Sequence, residues 1–208
     1  MITKDQIIEI HLTKPWIAIA MRQARAFTDA ELPSNIRHVE SRGSTEDEDA
    51  LTGHFAHIAV AKHLWGYDGV NQYIHACEKA NMLPLVRKVT GDKYISDNGE
   101  DFINLGLDVK ASLIRTSQEP INHNSPVRPR EWHPNIIYVQ CLVRISRAPK
   151  ATAESRDPSS FAVDVYICGW QMAEAYKAKG ESEGGVFKGA YVIPIKELNP
   201  MMPMLWRT

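Results

Sequence analysis

The stretch DFINLGLDVK, residues 101–110, carries the clearest signal for the fold of this 208-residue chain. Asn104 and Gly106 are turn residues, and they separate two short apolar runs. Turn residues between apolar runs are typical of a β-hairpin. We therefore predict two paired strands in which Phe102 faces Leu107.

Charged side chains come together in this hairpin. With that pairing, Asp101 lies opposite Asp108, and the two Cβ atoms are roughly 5 Å apart. Side chains alternate along a strand, so Asp108, Lys110 and Ser112 point to one face and the apolar residues between them to the other. A three-residue turn over 104–106 with a glycine bulge would instead shift the register by one and turn Asp101 away. Two carboxylates this close favour a bound cation, and their oxygens suit a hard divalent metal.

These residues also resemble a known family. Asp101 together with Asp108-Val109-Lys110 resembles the Asp…(Asp/Glu)-x-Lys signature of the PD-(D/E)XK nuclease superfamily. The order of predicted elements is similar too, because a helix over Leu51–Leu64 precedes the hairpin and further strands follow it. An ordinary surface hairpin with solvated charges is the alternative interpretation.

The resemblance implies a fold as well as a chemistry. We expect an α/β protein with a central mixed β-sheet flanked by helices, restriction-endonuclease-like. A chain of this length suits one domain over residues 1–208, with its core at about 50–200 and an N-terminal strand-helix extension at 1–48. No internal repeat and no linker between two cores is visible in the sequence.

The function that the resemblance implies is metal-dependent endonuclease activity, the hydrolysis of DNA phosphodiester bonds. Asp101, Asp108 and the backbone carbonyl of Val109 would hold Mg²⁺, for which Mn²⁺ can substitute. Lys110 would orient or deprotonate the attacking water while offsetting phosphate charge. A lysine base needs a lowered pKa, which neighbouring carboxylates oppose, so we favour the orienting and electrostatic role for Lys110.

The helix in front of the hairpin departs from the family pattern. Many members carry a glutamate there that completes the metal site, and His57 occupies the position where we align it. His57 is therefore a candidate catalytic residue that orients a water or contacts phosphate, while Glu46 or Glu48 could enter the site instead. Imidazole suits Mg²⁺ less well than oxygen does.

This departure leaves three further interpretations open. One is a noncatalytic nucleic-acid-binding module on the same scaffold. Another is a zinc hydrolase that uses His54 and His57, which lie three residues apart on one helix. In the third, both histidines sit on a partly buried helix face with ordinary hydrogen bonds.

Candidate DNA contacts are basic or polar side chains near the hairpin: Ser112, Arg115, Arg128 and Arg130. The segment Arg128–His133 combines charge, stiff prolines and Trp132, so it could grip a phosphate backbone while Trp132 stacks on a base. Alternatively, this segment is a surface crossover in which Trp132 covers the core.

Composition narrows the class of protein. A formal net charge of −1 provides no global basic field, so DNA binding would need a local patch or bound cations. Three cysteines without C-x-x-C spacing argue against disulfides and a structural zinc site. The sequence carries no signal-peptide pattern and no membrane-spanning run, so we expect a cytoplasmic protein. Cleavage of both strands of a duplex would favour a homodimer.

Hydrophobic patterns predict the remaining elements. We expect strands over Ile7–Leu12, Leu85–Val89, Ile136–Ile145, Phe161–Cys168 and Tyr191–Ile193, and helices over Pro15–Phe27, Leu51–Leu64, Val70–Ala80, Gly169–Lys179 and Pro194–Leu198. The nearly continuous apolar run Ile136–Ile145 is typical of the most buried strand. Residues 116–135 are predicted to be a polar, proline-rich connection.

Overall fold

The computed structural model describes residues 1–29, 46–79, 89–90, 93–94, 101–102, 105–147 and 161–201. The elements in chain order are β1 (Ile8–His11), α1 (Lys14–Asp29), α2 (Glu46–Lys79), β2 (Val89–Thr90), β3 (Lys93–Tyr94), β4 (Leu107–Leu113), β5 (Asn124–Val127), β6 (Ile137–Arg147), β7 (Phe161–Met172), α3 (Ala173–Lys179) and β8 (Tyr191–Pro194). Short 3₁₀ turns lie at Lys4–Gln6, Pro120–Asn122, Pro129–Glu131, Gly185–Phe187 and Ile195–Glu197.

Four strands form the main sheet in the order β1-β7-β6-β4. β6 pairs with β7 and β7 with β1 in antiparallel fashion, whereas β4 runs parallel to β6. The expected mixed sheet with flanking helices is therefore confirmed as an α/β arrangement. β1 is the outer strand of this same sheet, so the N-terminal strand-helix segment joins the core directly.

Both faces of the sheet are covered. On one face, Val139 and Val143 of β6 pack with Phe55 and Ile58 of α2, and α1 lies against α2. The opposite face of β6 carries Tyr138 and Leu142, which pack with residues of α3, β8 and the turn after it. Alternate residues of β6 thus enter two different cores, which explains the nearly continuous apolar sequence of this strand.

The predicted positions of β1, α1, β6 and β8 and of the turn at Ile195–Glu197 are confirmed to within a few residues. The predicted helices Leu51–Leu64 and Val70–Ala80 both fall within α2, which is kinked between them at Gly66 with φ 73° and ψ −164°. Glycine has no Cβ, so it reaches this positive φ without strain.

One prediction was wrong, and one strand was not predicted. The chain does not leave the strand at Gly169-Trp170, because β7 continues to Met172 and α3 begins only at Ala173. Gly169, at φ 140°, lies at a β-bulge where the register with β6 shifts, so this glycine marks a bulge rather than a strand end. The strand that was not predicted is β5, which lies within the polar connection 116–135 and pairs with β8.

Some predictions fall outside the described residues. These are most of the strand at Leu85–Val89 and the hairpin turn at 103–104. The side chains of Glu46 and Glu48 also lie outside them. Among the described residues, Cys141 and Cys168 are buried free thiols, and no helix is both long and apolar enough to span a bilayer.

Substituting Gly169 tests the bulge. A Cβ at this position would lie 2.5 Å from the carbonyl oxygen of Asn199 and 2.5 Å from Cδ1 of Ile2. The overlap of the new Cβ with these two atoms and the positive φ of residue 169 both oppose a side chain here. We therefore predict that Gly169→Ala lowers the free energy of unfolding by roughly 2–4 kcal/mol. The measurement is urea unfolding followed by circular dichroism.

Gly184→Ala is the matched control, because a Cβ at Gly184 meets nothing within 4 Å and its φ is −155°. This variant should stay within about 0.5 kcal/mol of wild type. Equal stability of the two variants would contradict the bulge geometry.

Candidate active site

The charged residues of β4 lie on one face of the sheet. Leu107 and Val109 are buried in the core on the α2 side. Asp108 and Lys110 alternate with them and pair in register with Tyr138 and with Gln140 of β6. Tyr138 belongs to the core on the opposite face. The predicted alternation is confirmed, and the acid and the lysine face the layer formed by β5, β8 and α3.

Asp101 lies along the outer edge of β4. Phe102 and Leu107 form an antiparallel bridge, and the backbone N–H groups of Asp101 and Phe102 both donate to the Leu107 carbonyl, at 2.6 and 3.1 Å. Gly106, with φ 63°, makes the tight turn before β4. Asp101 Oδ2 accepts the N–H of Val109 at 2.7 Å. The predicted pairing of Phe102 with Leu107 is therefore present as a bridge, and the described residues of this segment show no further strand pairing.

His57 approaches Asp101 from the helix side. Its Nε2 lies 3.1 Å from Asp101 Oδ2, and the side chains of His57 and Asp101 are only 11% and 15% exposed. Neighbouring rings hold the imidazole, with Phe102 at 6.1 Å and His54 at 5.9 Å between centroids. His57 Nδ1 is buried without a hydrogen-bond partner. The histidine thus orients the carboxylate of Asp101 from the face opposite to Asp108.

Asp108 is a buried carboxyl in a charged neighbourhood. Burial raises its pKa from 3.8 to about 8; the ammonium of Lys110 opposes this shift, and the nearby carboxyl of Asp101 adds to it. Two neighbouring carboxyl groups repel each other when both are ionised, so a nearby cation stabilises the pair. Their repulsion is the electrostatic feature that the sequence predicted.

Lys110 has two carboxylate partners. Its Nζ lies 3.0 Å from Asp108 Oδ2 and 3.3 Å from Glu131 Oε2. The same Nζ lies over the Tyr138 ring, 5.6 Å from the ring centroid. Burial alone would lower the pKa of Lys110, but the carboxylates of Asp108, Glu131 and Asp101 outweigh it and raise the pKa above its ordinary value. The lysine therefore carries a proton at neutral pH, as the electrostatic role requires.

Glu131 was not among the predicted site residues. It ends the turn Pro129–Glu131, and its carbonyl accepts a hydrogen bond from the Tyr138 hydroxyl at 2.8 Å. That hydroxyl in turn accepts the backbone N–H of His133 at 2.9 Å. The sequence signal that could have identified Glu131 was its position as the one acid in the basic segment Arg128–His133, which precedes the buried strand β6.

A second missed feature is a buried polar chain beside Lys110. Gln140, opposite Lys110 in register, accepts a hydrogen bond from Ser125 Oγ at 2.9 Å and donates to the Cys141 carbonyl at 2.7 Å. Ser125 Oγ also contacts the hydroxyl of Tyr176. The sequence signal for this polar chain was a glutamine within the otherwise apolar run of β6. A buried polar side chain needs hydrogen-bond partners, so this glutamine indicated that other polar groups lie beside it.

The predicted DNA contacts divide into two groups. Arg128 and Arg130 belong to the same turn as Glu131, at the edge of the sheet where β4 and β6 both begin. Arg115 lies beyond the other end of β4, so at about 3.3 Å per residue it is roughly 20 Å from Asp108. Ser112 is half-buried between them, on the face of Asp108.

Trp132 packs in the protein interior. Its Nε1–H donates to the Ala173 carbonyl at 2.7 Å, and Lys177 Nζ lies 4.5 Å from the ring centroid. The half-buried ring packs against the core on the β8 side. These contacts favour the crossover interpretation, in which Trp132 covers the core, over base stacking.

The structure gives little geometric support for a metal site built on histidines. Among the described residues, only Glu9, His11 and Asp164 bring three ligand atoms within 4.8 Å of one another. That group is largely exposed, and a 2.6 Å contact between His11 and Asp164 already accounts for its geometry. Within the same residues, no third ligand converges on His54 and His57.

Comparisons with protein-family models, with curated proteins and with solved structures found no match to this chain.

The raised pKa of Asp108 predicts a pH-dependent stability in metal-free protein. The folded state holds a proton that the unfolded chain releases above pH 3.8, and it loses that proton only at about pH 8. Stability from this group is therefore complete below pH 3.8 and is lost as the pH rises toward 8. Asp108→Asn cannot titrate, so its free energy of unfolding should fall less from about pH 5 to pH 8 than that of wild type.

Urea unfolding in the presence of a chelator measures this difference across the same pH range. Asp68→Asn, which changes an exposed carboxylate, should keep the pH dependence of wild type. Parallel curves for wild type and Asp108→Asn would show that Asp108 does not retain its proton.

Proposed function

We propose that this protein is a metal-dependent endonuclease that hydrolyses DNA phosphodiester bonds, on a restriction-endonuclease-like scaffold similar to the PD-(D/E)XK superfamily. One observation carries the proposal: the buried carboxyl of Asp108 lies 3.0 Å from the protonated Lys110, and the nearby carboxyl of Asp101 raises the pKa of Asp108 further. Groups with shifted pKa values and specific charge partners are typical of functional sites. The DNA substrate is inferred from the resemblance in the hairpin sequence.

The donor set suits magnesium. Asp101 and Asp108 offer hard carboxylate oxygens, and a cation bound beside them would relieve their mutual repulsion. Mg²⁺ is usually held by one or two carboxylates and keeps several waters, so a dedicated cage of side chains is not required. When bound, Mg²⁺ or Mn²⁺ would polarise the scissile phosphate as a Lewis acid.

Lys110, His57 and two arginines would each have a separate role in the reaction. Lys110 offsets the negative charge that develops on the phosphate and orients the attacking water. His57 holds Asp101 through Nε2. Arg128 and Arg130 lie at the same edge of the sheet and would bind the flanking phosphates. Two copies of the chain, acting as a homodimer, would cut both strands of a duplex.

A noncatalytic nucleic-acid-binding module is the second candidate. The observation that favours it is the placement of His57, which contacts Asp101 but approaches from the face opposite to Asp108. A site with two carboxylates and no third acid among the described residues that contact them could bind a phosphate backbone without cutting it. Cleavage of DNA by the purified protein distinguishes the two functions.

Removing the acid or the lysine tests the nuclease. Asp108→Asn should abolish Mn²⁺-dependent cleavage of plasmid DNA, and Lys110→Ala should slow it on the order of 100- to 1,000-fold, because phosphate charge loses its compensation. Lys179→Ala, which breaks the exposed pair with Glu197, should cleave like wild type. Wild-type rates in both site variants would show that Asp108 and Lys110 do not form the nuclease site.

The two neighbouring histidines provide a separate test. His57→Ala releases Asp101 and should lower the cleavage rate by about tenfold or more, since a loosened ligand loses orientation. His54→Ala should retain the wild-type rate, and elemental analysis should find no bound zinc. Zinc together with loss of cleavage in His54→Ala would instead favour the zinc hydrolase.

A further inference from the structure

Lys110 sits between two carboxylates that come from different parts of the chain. Asp108 lies on β4, as Lys110 does, whereas Glu131 lies near the end of the connection between β4 and β6. The three side chains are largely enclosed, at 20%, 10% and 24% exposure for Lys110, Asp108 and Glu131. The ammonium is therefore shared in an environment that screens charge only weakly.

The backbone around Glu131 is firmly anchored. The Tyr138 hydroxyl donates to the Glu131 carbonyl and accepts the N–H of His133. Trp132, the next residue, donates through Nε1 to the Ala173 carbonyl of α3. Glu131 is thus presented to Lys110 by a turn that is fixed on both sides, unlike a surface glutamate that meets a lysine by chance.

Metal binding would change the charge balance around Lys110. A cation on Asp108 would occupy the carboxyl that faces the ammonium and would add positive charge nearby. Lys110 would then be repelled from the phosphate site unless a second carboxylate retained it. Glu131 is at the right distance to do so, at 3.3 Å from Nζ.

We propose that Glu131 is a positioning residue that holds the Lys110 ammonium in place when Asp108 engages a divalent cation. The cation and the cleavage reaction rest on the function proposed above, but the effect of Glu131 on metal affinity can be measured without cleavage. Glu131 acts through Lys110 and need not touch the substrate.

Calorimetric titration of the full chain with Mn²⁺ is the first test. Glu131→Gln should weaken Mn²⁺ binding about 5- to 30-fold relative to wild type, because Lys110 loses its remaining partner. Glu197→Gln is the matched control, since it removes the same charge from the exposed pair with Lys179, and it should not change affinity. Unchanged affinity in Glu131→Gln would overturn the proposal.

A Lys110→Met background separates positioning from a direct effect on the cation. If Glu131 acts through Lys110, adding Glu131→Gln to this background should change Mn²⁺ affinity less than twofold. A weakening as large as that in the wild-type background would show that Glu131 attracts the cation directly and would overturn the proposal. Glu131→Asp keeps the charge and should fall between wild type and Glu131→Gln.

Measurement of cleavage kinetics is the second test of this proposal. Glu131→Gln should lower kcat about tenfold or more with the KM for DNA unchanged within about twofold, because Lys110 acts on the reacting phosphate. Wild type that binds Mn²⁺ without cutting DNA, with weaker binding in Glu131→Gln, would remove the nuclease function and support the positioning role. Normal cleavage and normal affinity in Glu131→Gln would remove the positioning role alone.

Discussion

The parallel pairing of β4 with β6 is the constraint on which the candidate site depends. Parallel strands cannot be joined by a tight turn, so the chain must cross from the end of β4 back to the start of β6. The register places the start of β6 beside Asp108. The crossover therefore ends at the candidate site, where its last turn brings Glu131 against Lys110. β5 lies within the crossover and pairs with β8, which fixes the connection to the rest of the protein.

Burial of these charges has an electrostatic cost that the surrounding residues only partly offset. Desolvation of a buried ion pair can exceed its Coulomb attraction, and the raised pKa of Asp108 reflects that imbalance. The exposed pair of Lys179 and Glu197 involves no comparable desolvation, and such pairs contribute little to stability. A divalent cation would offset the negative charge of the two carboxyls, so the imbalance that raises the pKa of Asp108 would favour metal binding.

Local patterns predicted what depends on local physics. Period-two alternation gave the correct faces of β4, since neighbouring side chains on any strand point in opposite directions. The long apolar run correctly indicated that β6 is buried on both faces. The same reasoning failed at Gly169, because a glycine that ends an element and a glycine that makes a bulge look identical in sequence. It also missed β5, whose four residues include Pro126 and pair only with a distant strand.

The sequence by itself determined the two acids and the lysine of the hairpin and the helix that carries His57, because these follow from turn residues, strand alternation and helical periodicity. Only the tertiary structure decided that His57 contacts Asp101 from the far side of β4 and that Glu131, not Arg115, lies beside Lys110. These contacts depend on the direction in which β4 pairs with β6. Strand direction is set by the packing of the whole sheet, so no local pattern in the residues records it.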